Sequence, residues 1–477
     1  MTEAFDVAVV GAGPAGMAAA VAAGERGLRV VLVDAGRRTG GQYWRRPTDD
    51  AEPDARFADL HRRLAALGDA VRHVAGQQVW FVEAGEPHAL HLSPTVDAAI
   101  DVDLAPDADR APARVEARAL VLCPGGYDRQ LPVPGWTLPG VMAAGGVQAL
   151  LKASGTLAGS RAVVAGTGPF LLPVAAGLLR AGAEVVALCE AGSPSGWART
   201  PRGVAAVPGK AAEAAAYAAT LARHRVRLRT RTVVTEVRGD DHVTSVRLGR
   251  LDRQGRLRPG DGVEVEADLV ALGWGFTSSL ELLTAVGAAT RVDDDGSLVV
   301  VVDDGQRTDV PGVLAAGEAT GVGGADLAVA EGELAGLTAA RDAGCAVDEA
   351  RVRSVRRTVR RHRAFAAAMH RAHPVPAGWR EWLRPDTVVC RCEEVTAGEV
   401  RTACDDLGAA DARTVKLLTR CGMGWCQGRV CGYATAALAA PAGATPSADD
   451  LRSVARRSLA APVSLGELAR GVDGEDD

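Results

Sequence analysis

The sequence contains no asparagine, a single isoleucine at Ile100 and only three lysines, Lys152, Lys210 and Lys416. Arginine therefore supplies nearly all of the basic side chains, a bias that we attribute to a GC-rich genome rather than to phosphate binding. The formal net charge is −5, so the overall electrostatics give no reason to expect a nucleic-acid partner.

Long hydrophobic runs are also missing. No stretch of the 477 residues is apolar and uncharged over the length that a transmembrane helix requires. The N-terminal Met-Thr-Glu-Ala-Phe-Asp shows neither the basic region nor the cleavage site of a signal peptide. We therefore expect a cytoplasmic protein of two or three domains, in which thiols stay reduced and clustered cysteines favour metal binding over disulfides.

A glycine-rich turn follows the first predicted strand, residues 6–10. The turn, Gly11-Ala-Gly13-Pro-Ala-Gly16, begins an alanine-rich helix that continues through Glu25. A second strand, Arg29 to Val33, ends at an acid, Asp34. Because both strands, the helix and the acid stand at the expected distances, the pattern predicts a dinucleotide-binding turn rather than a chance cluster of glycines.

Each part of this turn has a predicted role. Gly11 permits the tight turn, Gly13 lets the backbone approach a pyrophosphate, and Gly16 lets helix and strand pack closely. The helix N-terminus faces the phosphates, and Asp34 would bind the ribose. The cofactor-binding residues predicted here are Gly11, Gly13, Pro14, Ala15, Gly16 and Asp34.

The same layout occurs a second time. A strand from Arg161 to Ala165 leads into Gly166-Thr-Gly168-Pro-Phe-Leu171, a helix, and a strand that ends at Cys189-Glu190. Leu171 stands where the third glycine should be, which predicts a helix displaced from the sheet. Glu190 would repel a 2′-phosphate, so NAD(H) is favoured over NADP(H). Binding of NAD(H) is itself doubtful, because the fingerprint is incomplete.

Three further segments carry a resemblance to a known family. They are Gly40-Gly41-Gln42, the strand Ala119-Leu-Val-Leu-Cys-Pro-Gly125, and the strand Val313-Leu-Ala-Ala-Gly317-Glu318. Together with the two glycine turns they resemble the flavoprotein disulfide-reductase superfamily, in which the first turn holds FAD. The resemblance implies that Gly41, Gln42, Gly125, Gly317 and Glu318 also contact FAD. Glu318 replaces the usual aspartate, and the alternative role for it is a helix N-cap.

The redox-active cysteine pair of disulfide reductases is missing from this chain. Cys123, Cys189 and Cys345 are isolated in the sequence, and each is most simply a small apolar residue of the core. We therefore expect that a flavin would not pass electrons to an internal dithiol.

Five of the nine cysteines form two groups near the C-terminus. They are Cys390-Arg-Cys392 and Cys421-Gly-Met-Gly-Trp-Cys426-Gln-Gly-Arg-Val-Cys431, and Cys404 lies between them in a predicted helix. Two thiolate-bearing loops suit either a [2Fe–2S] cluster or structural zinc. Zinc sites with four cysteines usually have paired C-x2–4-C knuckles, whereas the spacing here is C-x-C and C-x4-C, so we favour iron and sulfur.

The cysteine segment resembles the bacterioferritin-associated-ferredoxin-like [2Fe–2S] module of several flavoprotein subunits, which include those of opine oxidases, D-hydroxyproline dehydrogenase and hydrogen cyanide synthase. The resemblance implies that the metal ligands are Cys390, Cys392, Cys426 and Cys431. In the alternative set, Cys421 replaces Cys431. The resemblance also implies two partner subunits. One resembles amino-acid oxidases and contains FAD, and the other is a small ferredoxin-like subunit.

These observations predict an α/β flavoprotein with two Rossmann-like dinucleotide-binding domains and a small C-terminal α+β iron–sulfur domain. The predicted boundaries are 1–150 with 273–345 for the FAD-binding domain, 151–272 for the inserted NAD(P)-binding-like domain, 346–384 for a helical connector, 385–440 for the [2Fe–2S] domain and 441–477 for a partly disordered tail.

No acid–base constellation for a substrate is visible, and no catalytic residue is predicted. His370 and His373 lie in the connector, where we expect solvated surface. We expect an FAD-dependent oxidoreductase that transfers electrons within a heteromeric dehydrogenase, with the partner subunit oxidising a C–N bond of an amino acid, imino acid or opine. The alternatives are a stand-alone NADH-dependent reductase and a redox sensor that keeps the flavin fold for structure.

Overall fold

The computed structural model describes residues 4–46, 54–95, 112–260, 262–441 and 443–472. Its strands are β1 Ala4–Val10, β2 Val30–Asp34, β3 Val71–Ala75, β4 Gln77–Glu83, β5 His88–Pro94, β6 Arg114–Leu122, β7 Gly126–Asp128, β8 Val141–Ala143, β9 Arg161–Gly166, β10 Glu184–Glu190, β11 Leu228–Thr230, β12 Thr232–Gly239, β13 Val243–Arg250, β14 Val263–Glu266, β15 Leu269–Gly273, β16 Phe276–Ser278, β17 Thr290–Val292, β18 Leu298–Val300, β19 Val313–Ala315, β20 Val388–Cys390 and β21 Val395–Thr396.

The helices in the described residues are α1 Pro14–Gly24, α2 Ala55–Ala66, α3 Ala144–Ser154, α4 Leu171–Arg180, α5 Pro201–Ala206, α6 Gly209–Arg223, α7 Glu281–Ala285, α8 Ala325–Asp342, α9 Glu349–Ala372, α10 Ala397–Asp405, α11 Ala412–Thr419, α12 Gly432–Ala439, α13 Ala448–Ala455 and α14 Leu465–Val472. Among the residues described, none of these helices combines the length and the apolar character needed to cross a membrane.

The first half of the molecule is built on a seven-stranded sheet. Its strand order is β3-β2-β1-β6-β5-β4, and β19 pairs with β6. β1, β2, β3, β6 and β19 are parallel to one another, whereas β4 and β5 are antiparallel additions. The last residues of the central strands, Val7–Val10 of β1 and Leu120–Leu122 of β6, are apolar and buried, as is typical of parallel strands that are covered on both faces.

Close packing of α1 and α8 sets the position of the first glycine turn. α1 is buried on almost every side. A Cβ atom on Gly332 would lie 1.9 Å from the carbonyl oxygen of Ala15, and one on Gly336 would lie 2.4 Å from that of Ala19. Glycine at these two positions of α8 therefore lets the two helix backbones touch.

The second half contains a five-stranded parallel sheet in the order β11-β10-β9-β15-β8. β8, Val141–Ala143, belongs to this sheet, although the predicted boundary between the halves lies at residue 150. The chain crosses between the halves twice, and the two crossings pair side by side as the antiparallel strands β7 and β16.

The connector and the C-terminal region complete the fold. The connector forms a helix as predicted, α9, which follows a side-chain cap from Asp348. The tail that was predicted to be partly disordered is helical in α13 and α14, and Leu451 of α13 is buried in the core. Residues 473–477 of the predicted tail lie outside the described residues.

Candidate redox site

The first glycine turn has the shape of a phosphate cradle. Gly11 has a φ of +98°, and a Cβ atom there would lie 2.3 Å from the carbonyl oxygen of Cys123. A Cβ atom on Gly16 would lie 1.6 Å from the carbonyl oxygen of Gly11. In contrast, a Cβ atom on Gly13 would meet nothing within 4 Å. Open space thus remains only at the glycine that faces the start of α1, where a pyrophosphate would bind.

Two neighbouring groups border this cradle. The carboxylate of Asp34 accepts hydrogen bonds from the backbone amides of Ala12 and Gly36, and burial raises the pKa of Asp34 above its usual range. A Cβ atom on Gly41 would lie 2.9 Å from Cα of Gly13. The turn at 40–42 is therefore placed against the second glycine, with Pro14 and Ala15 directly behind it at the start of α1.

The late acidic turn lies beside the Gly125 turn. Oε2 of Glu318 would lie 3.1 Å from a Cβ atom on Gly126, and Gly125 has open space around it. Burial and the nearby charge of Asp128 raise the pKa of Glu318 to about 7. Glu318 does not cap the following helix, because the N-cap of α8 is Gly324. This carboxyl group is thus available to a ligand that lies along the two turns.

Buried polar side chains support the late turn. Glu331 of α8 accepts hydrogen bonds from the amide of Gly317 at 3.0 Å and from the hydroxyl of Thr320 at 2.8 Å. Arg363, on the connector helix α9, donates to Glu331 at 2.7 Å and to the carbonyl oxygen of Gly321 at 2.8 Å. Sequence reasoning missed this pair, and no motif marks it, because Glu331 and Arg363 meet only through the packing of α8 on α9.

The second glycine turn differs from the first in its helix. α4 begins at Leu171, five positions after Gly166, whereas α1 begins three positions after Gly11. Leu171 is buried in the core between α4 and the sheet. Gly168 retains the open space that Gly13 has. The missing third glycine is thus accommodated by a later helix start.

Glu190, the acid that follows the second glycine turn, is already hydrogen-bonded within the protein. Glu190 accepts hydrogen bonds from Gly168 at 2.9 Å and from Gly192 at 2.7 Å, and Nδ1 of His373 lies 3.3 Å from it. The expectation that His370 and His373 form solvated surface is wrong. Both imidazoles are largely buried, and His370 faces Asp293 at 3.9 Å. The end of α9 places His373 against Glu190 of the second half and His370 against Asp293 of the flavin half.

Two of the three isolated thiols, Cys123 and Cys189, are buried in the core. Burial raises the pKa of Cys123 and that of Cys189 to about 12. A buried neutral thiol is neither a nucleophile nor a ready electron acceptor. These two residues therefore have the core role that the sequence predicts.

The structure places the five clustered cysteines in two groups, which divide the four predicted ligands between them. The sulfur atoms of Cys390, Cys421 and Cys431 lie within 4.8 Å of one another, while Cys392 is hydrogen-bonded to Cys426. Hydrogen bonds from Cys421 and Cys431 hold the pKa of Cys390 well below its usual range. Cys421 also has a second partner, the hydroxyl of Thr435, at 3.1 Å.

Local structure explains why the two loops converge. A capping box formed by Thr396 and Glu399 fixes the start of α10. A Cβ atom on Gly424 would lie 2.2 Å from Cβ of Cys392, so only glycine lets the second loop approach the first. The thiol-rich donor set fits a [2Fe–2S] cluster.

An ionic network joins the cysteine loop to the flavin half. Nε of Arg429 donates to the hydroxyl of Tyr127 at 2.9 Å and lies 3.0 Å from Glu281. Tyr127 in turn donates to Glu281 at 2.9 Å, and Arg457 pairs with the same carboxylate. Tyr127 belongs to β7, directly after the Gly125 turn. Arg429 could have been noticed in the sequence because it lies between two predicted ligands.

Comparisons with known proteins agree with this architecture. Residues 5–344 match the family model of the pyridine nucleotide-disulphide oxidoreductases, and residues 388–440 match that of the BFD-like [2Fe-2S] binding domain. The chain is 33% identical to an opine oxidase subunit of Rhizobium meliloti (strain 1021) over 98% of both chains. It is 31% identical to hydrogen cyanide synthase subunit HcnB of Pseudomonas aeruginosa over 89% of this chain and 90% of that protein.

A solved structure shares the fold. The L-proline dehydrogenase from P. horikoshii superimposes with a TM-score of 0.68, covering 98% of this chain and 80% of that chain at 19% identity. The predicted fold class and the predicted resemblance are thereby confirmed. The chain belongs to the pyridine nucleotide-disulphide oxidoreductase family and is an electron-transfer flavoprotein with the cofactors FAD and [2Fe–2S], related to subunits of opine oxidases.

Proposed function

We propose that this chain is the electron-transferring subunit of a heteromeric dehydrogenase, in which a partner subunit oxidises the C–N bond of an amino acid, imino acid or opine. The observation that carries the proposal is the Tyr127–Arg429 contact at 2.9 Å, which joins the Gly125 turn to the cysteine loop. A direct connection between a flavin cradle and a thiolate site suits a relay of electrons.

The residues of the cradle have distinct roles in this proposal. Gly13 and the start of α1 would bind the pyrophosphate, Asp34 would bind the ribose, and Glu318 would hold a proton against the bound flavin cofactor. FAD accepts electron pairs, and a [2Fe–2S] cluster passes electrons singly. Cys390, Cys392, Cys426 and Cys431 hold the cluster, and Cys421 remains a neighbouring thiol bonded to Thr435.

Substrate specificity belongs to the partner in this proposal. The relatives named above are subunits of opine oxidases and of hydrogen cyanide synthase. Their being subunits supports partner subunits for this chain. We propose that one partner contains FAD and resembles amino-acid oxidases, and that another is a small ferredoxin-like subunit. The buried carboxylate of Glu331 is already hydrogen-bonded to the Gly317 turn, so it is not free to act on a substrate.

Co-purification with an amino-acid-oxidase-like chain encoded beside this one tests the proposal. We expect amine-dependent dye reduction by the complex, none by this chain alone, and loss of transfer in the complex that carries Cys431→Ser. Cys404→Ser, a cysteine outside the site, is the matched control and should transfer normally. Full amine turnover by the isolated chain would disprove the relay.

A stand-alone NADH-dependent reductase is the second candidate, because Gly168 keeps the open space of a phosphate cradle. Stopped-flow mixing separates the two functions. Rapid bleaching of the flavin by NADH, together with no bleaching by amines in the complex, would favour the reductase.

A further inference from the structure

Large apolar side chains are exposed around the cysteine site. Trp425 is 80% exposed and Leu417 is 66% exposed, and Leu418 and Met423 are exposed beside them in sequence. Together with Leu407, these side chains make up half of the large exposed apolar residues found among the described positions. Such a concentration on one small domain is typical of an interaction surface.

Apart from Leu407, these side chains belong to α11 and to the loop that directly follows it. Ala412 and Val415 of α11 point into the core, so Arg413, Lys416 and Leu417 lie on the outer face of the helix. The loop that follows α11 packs against the Cys390–Cys392 loop. Arg420 donates a hydrogen bond to Glu393 at 2.9 Å, and Gly424 contacts Cys392. We define the Trp425 face by Arg413, Lys416, Leu417, Arg420, Met423 and Trp425.

The face also carries a one-sided charge. Residues 412–448 contain four basic side chains and no carboxylate. Arg429 is used internally, whereas Arg413, Lys416 and Arg420 are exposed. Glu393 bonds Arg420 from the neighbouring loop. An exposed tryptophan within a basic rim is complementary to a partner with an apolar centre and acidic edges.

We infer that the Trp425 face docks an acidic one-electron carrier protein. The inference deepens the proposed function and rests on it for the source of the electrons, which is the amine substrate. Each transfer oxidises this chain by one electron and reduces the carrier by one. Two carrier molecules therefore accept the pair released when one C–N bond is oxidised. Cys392, the exposed cysteine of the site, borders the face and places the carrier beside the thiolates.

Charge reversal on the helix tests the docking without touching a cysteine. The probe is a plant-type [2Fe–2S] ferredoxin with a strongly acidic surface, reduced beforehand and mixed with the oxidised full chain, because the same surface serves transfer in either direction. We expect the double variant Arg413→Glu and Lys416→Glu to lower the second-order rate constant about tenfold at low ionic strength. The rates of variant and wild type should converge at high salt.

Trp425→Ala tests the apolar centre, and Arg118→Glu is the matched control. Arg118 has a side chain that is 83% exposed, and it lies on β6 of the flavin half. We expect Trp425→Ala to slow transfer severalfold with an unchanged EPR signal, and Arg118→Glu to transfer like wild type. Equal rates in all variants would overturn the inference. A dimer in light scattering that Trp425→Ala converts to a monomer would also overturn it, by assigning the face to a second copy.

Binding measured by calorimetry keeps this test separate from the proposed function. Titration of oxidised ferredoxin into the full chain needs neither an amine nor the partner subunit. Binding that weakens in the charge-reversed variant supports the docking face even where the complex oxidises no amine. In the opposite outcome, the complex oxidises the amine normally, but ferredoxin neither binds nor reacts. That result contradicts the docking face and leaves the proposed function standing.

Discussion

Among single residues, Gly13 offers the cleanest test of the flavin cradle. Its φ of −73° and ψ of −172° are open to alanine, and an added methyl group would meet no protein atom within 4 Å. We expect Gly13→Ala to fold normally and to bind FAD at least tenfold more weakly, about 1.4 kcal/mol. The flavin-to-protein ratio after desalting measures this loss.

The control for this variant is Gly209→Ala, since Gly209 also has open space and begins another helix, α6. It should keep its flavin. A Gly13→Ala protein that retains stoichiometric FAD would place the pyrophosphate elsewhere.

Glu318 makes the stability of the flavin-free chain depend on pH. Its carboxyl group ionises at 4.5 when unperturbed and at about 7 in the fold. Between these values the unfolded chain releases the proton and the folded chain keeps it, so the unfolding free energy falls as pH rises from 4.5 to 7. Relative to Glu318→Gln, wild type should lose about 1 to 3 kcal/mol across this window.

Denaturant titrations of both proteins at pH 4.5, 6 and 8 measure this difference. The difference in unfolding free energy between wild type and Glu318→Gln should be constant above about pH 7.5, because Glu318 is then ionised in both the folded and the unfolded chain. A gap that does not change with pH would show that Glu318 is solvated in the fold.

The cysteines can be sorted one at a time. Cys421 shares a hydrogen bond with Thr435 that a serine hydroxyl could keep, so Cys421→Ser should retain the iron and the EPR signal of the cluster. Cys431→Ser should lose both. Iron analysis and EPR of the two anaerobically prepared proteins distinguish the ligand sets, and the reverse result would favour the set in which Cys421 replaces Cys431. Zinc without iron in the wild type would remove the cluster assignment.

At the level of elements, Arg429 holds the cysteine loop against β7. Its removal breaks the hydrogen bonds to the hydroxyl of Tyr127 and to the carbonyl oxygen of Ala460, and takes one of two cations from the buried Glu281. We expect Arg429→Gln to lower the unfolding free energy by about 2 kcal/mol and to speed the loss of iron. Arg413→Gln, on the exposed face of α11, should change the stability by less than about 0.5 kcal/mol. Equal effects of the two variants would mean that the network does not support the loop.

At the scale of the whole molecule, the C-terminal segment, residues 443–472, packs against both the flavin half and the cysteine-site domain. We call this segment the C-terminal strap. The carbonyl oxygen of Pro462 accepts a hydrogen bond from Gln78 at 2.8 Å, and the amide of Ala460 donates to Trp80 at 2.8 Å. Leu451 is buried beside Ala412 and Ala436. A chain that ends at residue 440 should therefore expose this apolar surface and lose iron and thermal stability together.

Truncation after residue 472 is the control for this experiment, because it removes only 473–477 and leaves both helices in place. Calorimetry and iron content should match the full chain. A chain ending at 440 that behaves like the full chain would show that the strap is dispensable.

The sequence predicted those structural features whose residues lie close together along the chain. The strand, the turn at Gly11 and the acid at Asp34 lie within about thirty positions of one another. Local patterns failed for His373, because its burial depends on α9 reaching the second half. The helix α13 within the tail likewise depends on packing against the cysteine-site helices.

By itself, the sequence determined the two glycine turns, the thiolate-bearing loops and the absence of an internal dithiol, because each depends on residue type and short spacing. Only the tertiary structure decided that Cys421 joins Cys390 and Cys431, that Arg429 meets Tyr127, and that Arg363 supports the Gly317 turn through Glu331. These contacts join residues from different elements, and their energy depends on distances and burial that arise only when the elements pack.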